Sequence, residues 1–186
     1  MTSTATISPE YLRLQTALHE NPDYGVVGVA LARPVAVLMR NTGAKSLADY
    51  GAGKQSLLAG LNKLGVAGFE YYPYDPVFPE YGPAREADVV CCIDVLEHIE
   101  PDRIEAVIAE LAAITRRHAF FSISLGPAAK VLADGRNAHL IQQPTSWWLE
   151  RLIPYFEVLD LSTLPGESKS LILVLERRRD PQARQP

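Results

Sequence analysis

Apolar residues recur along the chain first at helical spacing and then in a regular exchange of short runs and stripes. Tyr11, Leu12, Leu14 and Leu18 predict a helix over Pro9–His19, stopped by Asn21-Pro22-Asp23. Residues 1–8 predict no element and are expected to be disordered. Val26–Asn41 is apolar and predicts a second helix or helix pair, interrupted near Pro34, with Gly43 as its stop. Ser46–Tyr50 then predicts a short strand running into Gly51-Ala52-Gly53. Gln55–Leu64 predicts a helix with Leu57, Leu58, Leu61 and Leu64 on one face, and Val66–Tyr72 a second strand. Pro73, Pro76, Pro79 and Pro83 make the stretch to Arg85 an ordered loop.

Asp88–Ile93 is continuously apolar, as in a strand covered on both faces. Pro101–Arg117 carries the clearest helical stripe, Ile104, Val107, Ile108, Leu111 and Ile114, with Pro101 in its first turn. Ala119–Ser124 predicts another buried strand and Thr145–Ile153 a helix. Phe156–Leu161 and Ser170–Glu176, joined through Pro165-Gly166, predict an antiparallel hairpin. The alternation implies an α/β fold with a mainly parallel sheet and helices on both faces. Ligands of such sheets bind beyond the carboxyl ends of the strands. That draws attention to Asp49–Gly53, Tyr74–Pro76, Asp94–His98 and the residues from Ser124 onward.

Length and composition narrow the class. At 186 residues, with 47% hydrophobic and 22% charged residues, one globular domain over residues 1–186 is expected. Its parts would be a helical lid or extension over 1–43, a core over 44–177 and a tail over 178–186. No apolar stretch reaches the length of a bilayer span, and the N-terminus has no signal-peptide pattern. Adjacent Cys91 and Cys92 cannot staple distant segments, which fits a reducing cytoplasm. Net charge is −4; four arginines from Arg177 onward against Asp180 give the tail +3 and leave −7 for the body. Such a body suits a small-molecule partner better than nucleic-acid phosphates, and the tail is expected to be a solvated end.

The loop Asp49-Tyr50-Gly51-Ala52-Gly53-Lys54 bears the first chemistry. A phosphate-binding P-loop would need a glycine at Ala48 and Ser or Thr at Gln55. A dinucleotide fingerprint would need a third glycine at Ser56, and Asp49 would oppose a pyrophosphate. A carboxylate there suits a cationic ligand. S-adenosylmethionine carries an ammonium and a sulfonium and no phosphate; Gly51 and Gly53 would let the backbone approach it. Asp75, after the second strand, can accept from both hydroxyls of a ribose.

The chain resembles the class I S-adenosylmethionine-dependent methyltransferases, in a small bacterial or phage-type subgroup. The resemblance rests on Asp49–Lys54, on Tyr74-Asp75-Pro76 and on Asp88–Ile99 with its Asp94-Val95-Leu96-Glu97-His98, and covers about Ala44–Arg177. It implies a Rossmann-like methyltransferase fold ending in an antiparallel hairpin, with S-adenosylmethionine as cofactor. Asp49, Tyr50, Gly51 and Gly53 would hold the methionine part, Asp75 the ribose, and Asp94 and Val95 would lie along the cofactor. The family's third glycine is Gln55 here. Its third strand is not recognisable between Pro76 and Ala87, which leaves open whether the sheet keeps that strand or only six, and no adenine contact is assigned. Asp134–Ile141, followed by Trp147-Trp148, is similar to a segment that overhangs the transferred methyl, with Arg136, Asn137 and Trp148 as candidate substrate contacts.

Methyl transfer is an in-line displacement that needs a base only when the acceptor is protonated. His98 and His139 follow strands on the active face and are the candidate bases. His19, in the outer helix, and His118, before a buried strand, are set aside. Tyr24 and Arg33 are weaker polar candidates in the lid. Glu97, His98 and His139 could also bind a divalent metal, but a second histidine pair is missing and no metal is expected. The expected activity is methyl transfer to a small molecule, nucleotide or sugar. The alternatives are a metal-dependent nucleic-acid 2′-O-methyltransferase and a non-catalytic cofactor-binding subunit.

Overall fold

A computed structural model describes residues 6–164 and 169–178. In chain order the elements are α1 (Pro9–His19), α2 (Gly28–Thr42), β1 (Ser46–Tyr50), α3 (Ser56–Lys63), β2 (Glu70–Tyr74), β3 (Ala87–Ile93), α4 (Ile104–Ile114), β4 (Thr115–Ser124), α5 (Thr145–Leu152), β5 (Phe156–Leu164) and β6 (Ser170–Arg177). Short 3-10 turns lie at Pro79–Tyr81 and Leu96–His98.

The sheet order is β2-β1-β3-β4-β6-β5. β2, β1, β3 and β4 are mutually parallel. β6 enters antiparallel between β4 and β5, which forms the expected terminal hairpin. Among the described residues the sheet has six strands. A 3-10 turn and no strand stands between β2 and β3, where the resemblance would place a third parallel strand.

The run at β3 shows why such a segment reads as continuously apolar. Alternate strand residues face opposite sides. Val89 and Cys91 pack with Leu31, Val35 and Met39 of α2 and Leu57 and Leu61 of α3. Val90 and Cys92 pack with Val107, Ile108 and Leu111 of α4 and Trp148 and Leu152 of α5. Gly60 lets α2 cross α3 closely: a Cβ there would stand 2.6 Å from that of Ala32.

Several boundaries differ from the sequence expectations. α2 runs unbroken through Pro34 and ends at left-handed Gly43. β2 begins at Glu70, later than expected, because it is the register with β1, Ser46 opposite Glu70, that defines it. α4 is shorter at both ends and passes straight into β4, whose Thr115 pairs with Ala87. Residues 6–8 are ordered: Ser8 caps α1 by accepting from the Tyr11 N–H, and its own N–H and hydroxyl donate to Glu100. Arg177 and Arg178 are not a free end. Arg177 donates to the carbonyls of Ala112 and Tyr155, and Arg178 pairs with Glu157 at 2.8 Å. The Pro165-Gly166 turn, residues 1–5 and the tail from Arg179 lie outside the described residues. No helix among the described residues is long and apolar enough to cross a membrane.

Candidate functional site

A cavity of about 380 Å³ opens beyond the carboxyl ends of β1, β2 and β3, where a sheet of this topology leaves a crevice. Its size falls in the range of about 300–1,000 Å³ usual for small-molecule sites. Asp49, Tyr50, Gly51, Gly53, Asp75, Asp94, Val95, His98 and His139 all border it.

The glycine loop is held by backbone geometry. After β1 the chain turns back so that the Gly51 and Ala52 N–H groups both donate to the Tyr74 carbonyl, at 2.7 and 3.0 Å. Gly51 and Gly53 have φ of 76° and 47°. A Cβ on Gly51 would lie 2.3 Å from Val95 Cγ2, so the close approach itself requires glycine. Gln55 takes the left-handed conformation too, φ 55°, at the position where the methyltransferase resemblance leads one to expect a third glycine. The loop therefore keeps that turn at the cost of a side chain in a sparsely populated region. Lys54 turns away from the cavity and donates to the carbonyls of Asn21 and Tyr24, so it is not poised on a phosphate.

Two buried carboxylates make the floor of the cavity anionic. Asp49 accepts from the Tyr71 hydroxyl at 2.5 Å. Burial, opposed by the Tyr71 bond and helped by the nearby charge of Asp75, raises its pKa to about 6. Asp75 accepts from the N–H groups of Gly53 and Val77, each at 2.9 Å. Its Val77 bond is an Asx turn, and its Gly53 bond ties β2 to the glycine loop. Burial pushes its pKa upward, opposed by those two bonds and by His19. Each carboxylate oxygen has further lone pairs to offer a ligand. Asp94, with φ 51°, is pinned by Ser122: its N–H donates to the serine, whose hydroxyl donates back to Asp94 Oδ1.

Two imidazoles also border the cavity. His98 Nδ1 lies 2.8 Å from the Ala138 carbonyl, and His139 Nδ1 lies 2.7 Å from that of Gly126. A carbonyl only accepts, so both histidines carry hydrogen on Nδ1 and leave Nε2 basic. Burial and the neighbouring His139 lower the pKa of His98 to about 4. Beneath them lies Glu97, 0% exposed. Its Oε1 accepts from the Ser124 N–H, while Oε2 has no partner among the described residues. Burial, then the charge of Asp94, raises its pKa well above normal. Glu97, His98 and His139 each bring one ligand-capable atom within 4.8 Å of the others.

The N-terminal segment also lines the cavity. Tyr11, Gln15, His19 and Tyr24 all border it. Tyr11 donates to the His98 carbonyl, Gln15 to the Tyr11 hydroxyl, and Tyr24 to Gln15. His19, set aside from sequence, lies against Gly53 and Gly25 and packs edge-on to Phe78. The amphipathic pattern marked α1 as a helix but carried no signal of where that helix docks. Arg33 is exposed and borders nothing there.

The expected substrate contacts fall elsewhere. Trp148 is fully buried in the core between α4 and the sheet, and Trp147 lies under the guanidinium of Arg151. Asn137 clamps its own loop, accepting from the N–H groups of Ala128 and His139 and donating to the Ala128 carbonyl. Arg136 is exposed and paired with Asp134. The part of this segment that reaches the cavity is Pro127–Lys130 together with Ala138 and His139.

No family model matches the chain, and no curated protein matches it by sequence. Solved structures do. The 1,6-didemethyltoxoflavin N1-methyltransferase of Burkholderia thailandensis, bound to its substrate and S-adenosylhomocysteine, superposes with a TM-score of 0.65 at 16% identity, over 91% of this chain and 90% of that one. Magnesium protoporphyrin IX methyltransferase from Synechocystis, with bound S-adenosylmethionine, gives 0.59 at 19% identity over 82% and 81%. Human N-acetylserotonin methyltransferase, in complex with S-adenosylmethionine, gives 0.56 at 14% identity over 90% and 56%. At these identities the likeness is one of architecture: the chain has the class I methyltransferase fold.

Proposed function

We propose that this chain transfers a methyl group from S-adenosylmethionine to a small-molecule acceptor. The observation that carries the reading is the anionic cavity at the ends of β1, β2 and β3, bounded by Asp49, the Gly51–Gly53 turn and Asp75. A cationic nucleoside with no phosphate fits that floor, and a pyrophosphate does not. The cavity's position matches that fold's ligand crevice, and solved proteins of this fold hold S-adenosylmethionine or S-adenosylhomocysteine.

Bound there, S-adenosylmethionine supplies an electrophilic methyl on a sulfonium. Asp49 and the backbone from Tyr50 to Gly53 bind the methionine part. Asp75 takes the ribose hydroxyls with the lone pairs its two N–H partners leave. Asp94 and Val95 align the ligand along the end of β3. The acceptor atom forms a bond to the methyl carbon, the carbon–sulfur bond breaks, and its electron pair stays on sulfur. A protonated acceptor gives its proton to a neighbouring base. His98, at a pKa of about 4, is a weak base near neutrality; His139, whose Nδ1 is held by the Gly126 carbonyl, is the other candidate. Residues 6–27 act as the lid, pinned to His98 through Tyr11, and exclude water. The buried thiols of Cys91 and Cys92 fit a reducing cytoplasm.

Calorimetric titration tests this reading. S-adenosylmethionine and S-adenosylhomocysteine should bind with one site per chain, and NAD should not. Binding of NAD, or of neither sulfur nucleoside, would overturn it.

A further inference from the structure

We propose that Glu97, His98 and His139 form a binding site for one divalent cation of the Zn²⁺ or Co²⁺ kind, set at the methyl-transfer end of the cavity to receive an acceptor hydroxyl.

Three observations converge. Glu97 is fully buried, yet its Oε2 has no partner among the described residues. A buried, unpaired acceptor is costly, and Asp94 beside it adds like charge. A cation resolves both. Second, each imidazole already has the outer hydrogen bond that metal-ligating histidines use. Nδ1–H donates to a backbone carbonyl, Ala138 or Gly126, which fixes the ring and leaves Nε2 with its lone pair. Third, one donor-capable atom from each of the three residues falls within 4.8 Å of the others. Donors about 2.1 Å from a common ion stand roughly 3–4 Å apart, so a small contraction completes the set.

The donor set selects the ion. Two imidazoles and one carboxylate suit zinc, cobalt or ferrous iron better than calcium or magnesium, which prefer all-oxygen shells. Three protein ligands leave positions open, as in catalytic rather than structural sites. His98 and His139 border the cavity, so the open positions face the acceptor. That role rests on the methyltransferase reading. An acceptor hydroxyl bound there loses its proton to solvent more readily. Its oxygen then bonds to the methyl carbon, and the carbon–sulfur pair stays on sulfur. The histidines then serve as ligands in place of a general base, and the acceptor class is an alcohol or phenol.

The test uses the whole chain, stripped with a chelator and desalted. Co²⁺ is titrated in while its visible d–d absorption is followed, and Zn²⁺ is used to compete. One Co²⁺ should bind per chain. Affinity should fall at least about ten-fold in both Glu97→Gln and His139→Ala, and hold in His118→Gln. Acetohydroxamic acid, a bidentate oxygen ligand, should shift the Co²⁺ spectrum if positions are open. No uptake of Co²⁺ or Zn²⁺ by the wild-type chain, or equal uptake by the Glu97 and His139 variants, overturns the site. An unshifted spectrum overturns its role toward the acceptor. S-adenosylhomocysteine binding is measured on the stripped protein in parallel. Nucleoside binding without metal uptake sinks this site alone, and metal uptake without nucleoside binding sinks the cofactor reading alone.

Discussion

The Gly53 N–H donates to Asp75 Oδ2 at 2.9 Å, so the carboxylate that ends the second strand also sets the loop that leaves the first. The same side chain caps the Val77 N–H. Asp75→Ala would orphan one buried donor and one partly buried donor while removing an acceptor from the cavity. Chemical denaturation should show a loss of about 1–3 kcal/mol, and S-adenosylhomocysteine affinity should fall by about ten-fold or more. Unchanged affinity would remove Asp75 from the ligand's shell.

Gly51 faces Val95 across the cavity mouth with no room for a methyl. Gly51→Ala combines that overlap with a positive φ of 76°. A destabilisation of about 1–3 kcal/mol is expected, together with loss of nucleoside binding. Adding Val95→Ala should return part of the stability, since it clears the overlap and leaves the backbone strain. A thermal melt of both variants decides the point; no rescue would place the whole effect in the backbone.

Asp49 carries a pH signature. Its folded pKa is raised from 3.8 to about 6. The folded state thus holds a proton that the unfolded chain has released. The stabilisation is full below 3.8 and is lost as pH rises through about 6. Asp49→Asn should remove roughly 2 kcal/mol of the stability difference between about pH 4.5 and about pH 7, read from urea unfolding at each. A ligand ammonium favours the ionised form, so S-adenosylmethionine should bind more tightly as pH rises through about 6. Asp49→Asn should bind with a flatter profile. An equally steep profile in that variant would assign the titration to another group.

Trp148 and Arg136 should part company. Trp148 is fully buried in the α4–α5 core, and its truncation to Ala should cost about 3–5 kcal/mol. Arg136→Ala removes an exposed ion pair and should change stability by less than about 1 kcal/mol. Nucleoside affinity of Arg136→Ala should match wild type; a large loss would return that residue to the site.

How far the sequence spoke depended on how local each signal was. Strand β1 and helix α1 matched to the residue, because each is set by its own apolar spacing and by breakers at its ends. That Asp49, Gly51, Gly53 and Asp75 would border one crevice was legible because the carboxyl ends of parallel strands share one edge of the sheet. β2 slipped because register with β1 overrides local propensity. Trp148 was misplaced because helical spacing alone does not say which of two adjacent indoles turns inward. His19 was missed because its place beside the cavity follows from where α1 docks, a tertiary fact. Glu97 stood in plain sight beside His98, but its orphaned oxygen exists only once the end of β4 at Ser124 and the chain at Ile141 have bonded to that residue and it is buried.

The most direct measurement is a crystal structure of the chain with S-adenosylhomocysteine. The ribose hydroxyls should lie within hydrogen-bond reach of Asp75, the methionine part should cross the Gly51–Gly53 turn beside Asp49, and the sulfur should point toward His98 and His139. A nucleoside seated away from Asp75, or with its sulfur turned from the two histidines, would contradict the proposed site and the transfer built on it.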